Sequence, residues 1–307
     1  MSQQVQALGP SPPAVSTAPS RLDRLSPQWF FLISAVFHYL GPSLAVLLFA
    51  CIEVLGVAWL RIASAAVIFA AWRRPWRFSW RLCRQPSWRL LLALGVVLAA
   101  MNSLFYLAVD RLPLSTVGAI EFLGTVILAA AGTRTRRNAA ALALTTAGVA
   151  AITAIRITGH PLGFVFAFCN CVLFMLYVIL GHRIACSRDP HDGTLPSGID
   201  LLAVSMLFAA LAATPVGLGQ ALPAFTHPGW LLAGVGVGVC SSVIPYVTDQ
   251  LAMARLPRAT FALMLALLPV FATFIGAIVL RQLPTAQDIA GIVMVTIGVA
   301  IHSERNQ

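Results

Sequence analysis

A carboxylate, Glu121, falls in the middle of the apolar stretch 113–131, where only lipid or other helices would surround it. Placing an acid at mid-span costs at least ~2.5 kcal/mol on insertion scales, so an intramembrane acid is a functional candidate by default. The chemistry open to it is proton exchange, or counter-charge to a cationic group. Arg61, inside the stretch 54–72, supplies the opposite charge. Its planar fork of donors suits a partner carboxylate, either Glu121 or one carried by a substrate. The alternative for Arg61 is a side chain extended to the outer interface.

His38 stands just before Gly41-Pro42, a helix-breaking pair that could open backbone groups to a cavity. It is the side-chain type that changes charge near neutral pH, although a histidine packed between helices would serve structure alone. Asn102, Tyr106, Asn170, Tyr177, Tyr246, Asp249 and Gln250 complete the polar groups of the apolar stretches. Asp249 falls near the end of its stretch, where it could reach water. The candidate substrate and proton-coupling set is therefore Glu121, Arg61, Asn102, Tyr106, His38, Tyr246 and Asp249, with Glu121 first.

Other chemistries find little support. The chain contains no HExxH, GxSxG or nucleotide-binding motif, and Gly234, Gly236 and Gly238 precede no Gly-Lys-Ser/Thr. Those glycines read instead as a close-packing helix surface. The six cysteines are scattered, and Cys169-Asn170-Cys171 has the wrong spacing for a redox pair or a zinc cluster. Neither a metal nor a cofactor is expected.

The elements that must position these groups are membrane spans. Of the 307 residues, 59% are hydrophobic and only 10% charged, well short of the roughly one-quarter charged residues of a soluble domain. Residues 1–26, rich in Pro, Ser, Gln and Ala, read as a disordered cytoplasmic tail without the layout of a signal peptide. Ten apolar spans follow, near 29–50, 54–72, 89–109, 113–131, 138–156, 161–181, 199–218, 229–252, 257–281 and 285–302. Each is near the length of about 20 residues that a helix needs to cross the hydrocarbon core.

The net charge of +10 arises from arginine alone, since the chain has no lysine. With both termini in the cytoplasm, sixteen of the twenty arginines fall in cytoplasmic loops or tails, as the positive-inside rule requires. That distribution argues for a lipid bilayer as partner and against nucleic acid, whose binders gather basic residues on one soluble face. Trp29, Trp72, Trp76, Trp80, Trp88 and Trp230 sit at span ends and suit an interfacial belt.

An offset of 144 residues brings Leu112-Pro113 over Leu256-Pro257 and Thr116 over Thr260. Spans one to five then match spans six to ten. An odd number of spans per half turns the second half upside down, so the expected architecture is all-α: ten transmembrane helices as two inverted five-helix repeats, the arrangement of many alternating-access carriers. The first repeat would cover 27–157 and the second 158–303, with 304–307 as a tail. Glu121 has no acidic counterpart in the second half, where Leu265 takes its place.

Three stretches carry a family resemblance. Met101-Asn102-x-Leu104-Phe105-Tyr106 with Leu112-Pro113 and Ala119-Ile120-Glu121-Phe122-x-Gly124 resembles the third and fourth helices of the threonine/homoserine exporter group. That group belongs to the EamA-type carriers of the drug/metabolite transporter superfamily. Pro245-Tyr246 and Ala254-Arg255-Leu256-Pro257-Arg258-Ala259-Thr260-Phe261 resemble the eighth-to-ninth helix corner of the same group. Trp59-Leu60-Arg61 matches its second helix, and the similarity runs in order from about Phe30 to Ile301. The chain departs at Gly124-Thr125, Leu268-Pro269 and Arg281-Gln282, where the group often has Gly-Pro, Glu-Pro and Gly-Glu.

The resemblance implies a bacterial inner-membrane exporter, not an enzyme, that moves small metabolites, typically amino acids, in exchange for protons. Efflux of apolar or cationic drugs is the second transporter reading, with Glu121 as counter-charge. An intramembrane transferase is the alternative of another class, and the converging His, Asp and Ser groups it would need at the interface are missing from the sequence.

Overall fold

The computed structural model describes residues 27–77, 87–130, 135–154, 160–186, 197–265, 267–281 and 284–301, and the described residues form ten helical rods. They are α1 (Pro27–Leu48), α2 (Val54–Arg73), α3 (Ser87–Val109), α4 (Leu114–Ala130) and α5 (Arg136–Ala154). There follow α6 (Pro161–Ala185), α7 (Gly198–Thr226), α8 (Pro228–Met253), α9 (Arg258–Leu265 continued by Leu268–Val279) and α10 (Ala286–Ile301). The expected tails at 1–26 and 304–307 lie outside the described residues, as do Trp80, Arg81, Cys83 and Arg84 of the basic loop.

Six rods, α1, α2, α3, α6, α7 and α8, are long and apolar enough to cross a membrane. The other four are α4, α5, α9 and α10. The chain is a multi-pass membrane protein built of helices, the one open-ended form that satisfies every backbone group inside lipid. Exposed Trp29, Trp72, Trp76 and Trp88 sit at rod ends, where the sequence places its belt. One boundary differs appreciably. The seventh span is expected to end near 218, yet α7 runs on to Thr226. There Gly56 of α2 lies against the Gln220 backbone, and Ala221 and Ala224 are fully buried.

The neighbours of each rod set the scaffold. α2 packs along α7, and α5 along α10. α3 lies against α6 and α7, while α8 lies against α1 and α2; α4 contacts α6 as α9 contacts α1, and α4 meets α9. Small residues permit these approaches. A Cβ on Gly217 would come within 2.7 Å of the Leu55 carbonyl, and one on Gly148 within 2.7 Å of the Gly291 carbonyl. On α8 the close-packing face is narrower than expected: Gly234 and Gly238 meet Leu60 and the Arg61 carbonyl of α2, whereas Gly236 faces open space. Residues four apart share a helix face and those two apart do not.

Both Leu-Pro corners fold alike. In the first, the amides of Asp110, Arg111, Leu112 and Val117 donate to the carbonyls of Tyr106, Ala108, Ala108 and Pro113 at 2.9, 3.0, 2.8 and 3.1 Å. In the second, Ala254, Arg255, Leu256 and Phe261 donate to Gln250, Ala252, Ala252 and Pro257 at 3.0, 3.0, 2.9 and 3.0 Å. Each partner in one corner stands at the same offset from its counterpart in the other.

Two rods are irregular. α8 contains a π-helical turn at Val239–Val243, two residues before Pro245. α9 has a turn at Leu267, two residues before Pro269. A proline inside a helix removes a hydrogen bond and kinks it, and each irregularity lies beside one. By contrast, α1 passes through Gly41-Pro42 without interruption, and Gly41, lacking a Cβ, lets it lie close against the Ser241 backbone of α8.

Candidate functional site

Glu121 is buried on α4 and is met from α6 by Asn170, whose Nδ2 donates to Oε1 at 2.9 Å. Its second oxygen, Oε2, and the Asn170 Oδ1 have no hydrogen-bond partner among the described residues. Arg61 is also buried, at 3% exposure, so the guanidinium does not extend to the interface. It does not form a contact ion pair with Glu121 either, the pairing the sequence suggested. Instead Nη2 donates to the Ser241 carbonyl at 2.7 Å and Nε to Ser242 Oγ at 2.9 Å.

This choice of partner has a local cause. Pro245 has no N–H, so the carbonyl one turn earlier, at Ser241, lacks its helical donor. Arg61 replaces that donor across the α2–α8 contact. The Tyr106 ring lies 5.3 Å from the guanidinium carbon and fixes its plane, and Phe49 packs edge-on against Tyr106 at 5.6 Å.

His38, Pro42, Arg61, Asn102, Phe105 and Glu121 line one small cavity, with Met101 completing its wall. The cavity thus brings together α1, α2, α3 and α4, and four of the seven expected site residues. His38 packs edge-on against Tyr39 and Phe174, at ring distances of 5.5 and 5.9 Å. Pro42 lacks the N–H that would bond the His38 carbonyl in a regular α-helix.

Tyr106 and Tyr246 stand one layer behind the cavity. Asn102 Nδ2 donates to its own helix at the Leu98 carbonyl, 2.6 Å, and to the Tyr246 hydroxyl, 3.0 Å. Tyr246 stacks obliquely on Tyr177 at 5.6 Å, and Tyr177 on Phe174 at 5.7 Å. An aromatic chain thereby connects the cavity to Asp249.

Asp249 does not reach water. It is 1% exposed, and its carboxylate accepts from the hydroxyls of Ser34 on α1 and Tyr177 on α6, the latter at 2.9 Å. Position near a rod end suggested solvent, but α1 and α6 close over that end of α8. Glu121 and Asp249 are thus two buried carboxylates that both meet α6. Their partners there, Asn170 and Tyr177, are seven residues apart and so share a face two turns, about 10 Å, apart.

Sequence reasoning left Asn170 and Tyr177 outside its candidate set and did not single out Ser34, Ser241 or Ser242. Hydroxyl residues are frequent at packed helix interfaces, so type alone does not distinguish them. One signal was available for Ser241, which lies four residues before Pro245. Among the described residues no cluster of three metal-ligating side chains occurs. At the ends of α2 and α7, Arg73 Nε meets Asp200 at 2.6 Å and its Nη2 donates to Ser197 Oγ at 3.2 Å. Asp200 also caps α7 by accepting the Ser197 amide at 2.8 Å.

Comparison with known proteins places this architecture. Residues 161–303 match the EamA-like transporter family. The threonine/homoserine exporter RhtA of Salmonella typhimurium (strain LT2) is 30% identical over 256 residues, 81% of each chain. RhtA of Escherichia coli (strain K12) is 29% identical over 249 residues, 79% of each chain. A crystal structure covering 90% of this chain and 96% of its own superposes with a TM-score of 0.61 at 19% identity, a likeness of fold. A polar cavity between apolar helices, ten helical rods among the described residues and relatives of this similarity converge: the chain belongs to the EamA-like transporter family.

Proposed function

We propose that this protein is a secondary exporter of amino acids, threonine- or homoserine-like, or of closely related small metabolites in the bacterial inner membrane. The observation that carries the reading is the cavity in which Arg61 and Glu121, buried and oppositely charged, stand open to a common space without pairing. A carrier of zwitterionic or polar cargo needs such groups at membrane depth, and the RhtA relatives are exporters of threonine and homoserine by name.

The proposed architecture is ten transmembrane helices in two inverted repeats, 27–157 and 158–303, with both termini cytoplasmic. Support comes from the neighbour pattern: moving each rod five places along turns the α3–α6, α3–α7, α4–α6 and α4–α5 contacts into α8–α1, α8–α2, α9–α1 and α9–α10. The matching hydrogen bonds of the two Leu-Pro corners support it independently. In this orientation Arg73, Asp200 and Ser197 tie α2 to α7 at the cytoplasmic face, and the cavity lies from mid-membrane outward. Rocking one repeat against the other would open the cavity to each side in turn.

Proton coupling is assigned to Glu121: a proton and the cargo's ammonium compete for one carboxylate, so each departs when the other arrives. The test is efflux of labelled threonine, homoserine and other amino acids from proteoliposomes under an imposed pH gradient. Gradient-driven efflux that Glu121→Gln abolishes is expected. A protein that moves no amino acid, or a Glu121→Gln variant as fast as the parent, overturns the proposal.

A further inference from the structure

We infer that the cavity is a zwitterion clamp, with Arg61 receiving the substrate α-carboxylate and Glu121 together with Asn170 receiving its α-ammonium. The inference rests on the exporter reading and names the two charged groups that a substrate must carry.

The ammonium side follows from donor and acceptor supply. Asn170 uses an N–H on Glu121 Oε1, which leaves Glu121 Oε2 and Asn170 Oδ1 as buried acceptors with no partner among the described residues. Both belong to residues no more than 2% exposed. An ammonium has three donors and no acceptor, so it satisfies both atoms and the carboxylate charge at once. A hydroxyl brings one donor and leaves the charge unmatched, and an apolar group serves neither.

The carboxylate side follows from what Arg61 now holds. Its fork rests on a backbone carbonyl and a serine hydroxyl, both neutral, although guanidinium binds planar anions best. An arriving carboxylate displaces weaker partners and finds a guanidinium already oriented by the Tyr106 ring. Ser242, freed as acceptor, can turn its hydroxyl to donate to the same carboxylate. The Ser241 carbonyl then loses its donor within the π-helical turn, so substrate binding is linked to the shape of α8.

The clamp excludes two chemistries. A lipophilic cation would meet Glu121 but leave Arg61 facing apolar surface, and an organic anion would do the reverse.

The experiment uses the full chain in liposomes, with efflux of labelled threonine and competition by threonine, threonine amide and N-acetylthreonine. A site built around both charges rejects each masked analogue by about tenfold or more. Arg61→Gln is expected to bring the amide within about threefold of threonine while still rejecting the N-acetyl compound. Comparison of analogues on the parent alone is decisive, so a variant that fails to fold does not rescue the idea. Equal competition by either masked analogue, or by a lipophilic cation, overturns the clamp and leaves the exporter reading standing. Failure of the parent to move any amino acid overturns both.

Discussion

Arg61→Met tests whether a guanidinium substitutes for a missing helix hydrogen bond. In the parent, Nη2 satisfies the Ser241 carbonyl at 2.7 Å and Nε the Ser242 hydroxyl at 2.9 Å. Hydrogen bonds from a charged donor contribute about 1.5–3 kcal/mol each, and an orphaned buried carbonyl costs about 1–3 kcal/mol. Methionine keeps most of the packing and removes the cost of burying the charge, which offsets part of that loss. The net expectation is a destabilisation of about 2–4 kcal/mol. Pro245→Ala supplies the discriminating control, because it returns an N–H to the Ser241 carbonyl. In the parent that N–H is redundant with Arg61; in the Arg61→Met background it replaces what was lost. The double variant should therefore be more stable than the sum of the single changes by about 1–2 kcal/mol. SDS-titrated unfolding from mixed micelles, followed by tryptophan fluorescence and circular dichroism, gives the four stabilities. An interaction energy within about 0.5 kcal/mol of zero refutes the substitution argument.

Gly41→Ala places a Cβ 2.6 Å from the Ser241 nitrogen and 2.7 Å from its Cα; backbone cannot rotate aside, so the same unfolding assay should show a loss near or above the ~3 kcal/mol end of overpacking costs. Gly236→Ala meets nothing within 4 Å and should gain about 0.5–1 kcal/mol from helix propensity; equal effects at the two glycines would contradict the packing described. Asp249→Asn weakens two charge-assisted bonds, from Ser34 and Tyr177, for a loss of about 1–3 kcal/mol, whereas an unchanged midpoint would return Asp249 to solvent. Asp200→Ala removes a partly buried ion pair and half of a capping box, and should cost about 1–2 kcal/mol, the ion-pair share fading in high salt.

Rod existence and order were legible in the sequence because each rod is an apolar run set off by arginine, proline or glycine. The Leu112-Pro113 and Leu256-Pro257 corners were legible for the same reason, since a proline that cannot donate opens the following helix. Glu121, Arg61, Asn102 and His38 were found as polar exceptions in apolar runs, and they do line one cavity. What the sequence could not supply was partnership. The contact of Arg61 with Ser241, the burial of Asp249 under α1 and α6, and the open face of Gly236 all depend on depth and rotation between rods far apart in the chain. Hydropathy gives the length of a rod but not which neighbour its one polar face meets.

The hydrogen bond between Asn102 and Tyr246 joins residues separated by 144 positions, the same offset that aligns the proposed repeats. In an assembly of two identical halves, a residue on the two-fold axis meets its own copy, so its contact must be self-complementary. Joining the halves in one chain lifts that constraint. An amide can then face a phenol, and an acid at Glu121 can have the apolar Leu265 as its counterpart. Covalent fusion thus lets the interior carry one carboxylate at that depth where a symmetric pair would have to bury two.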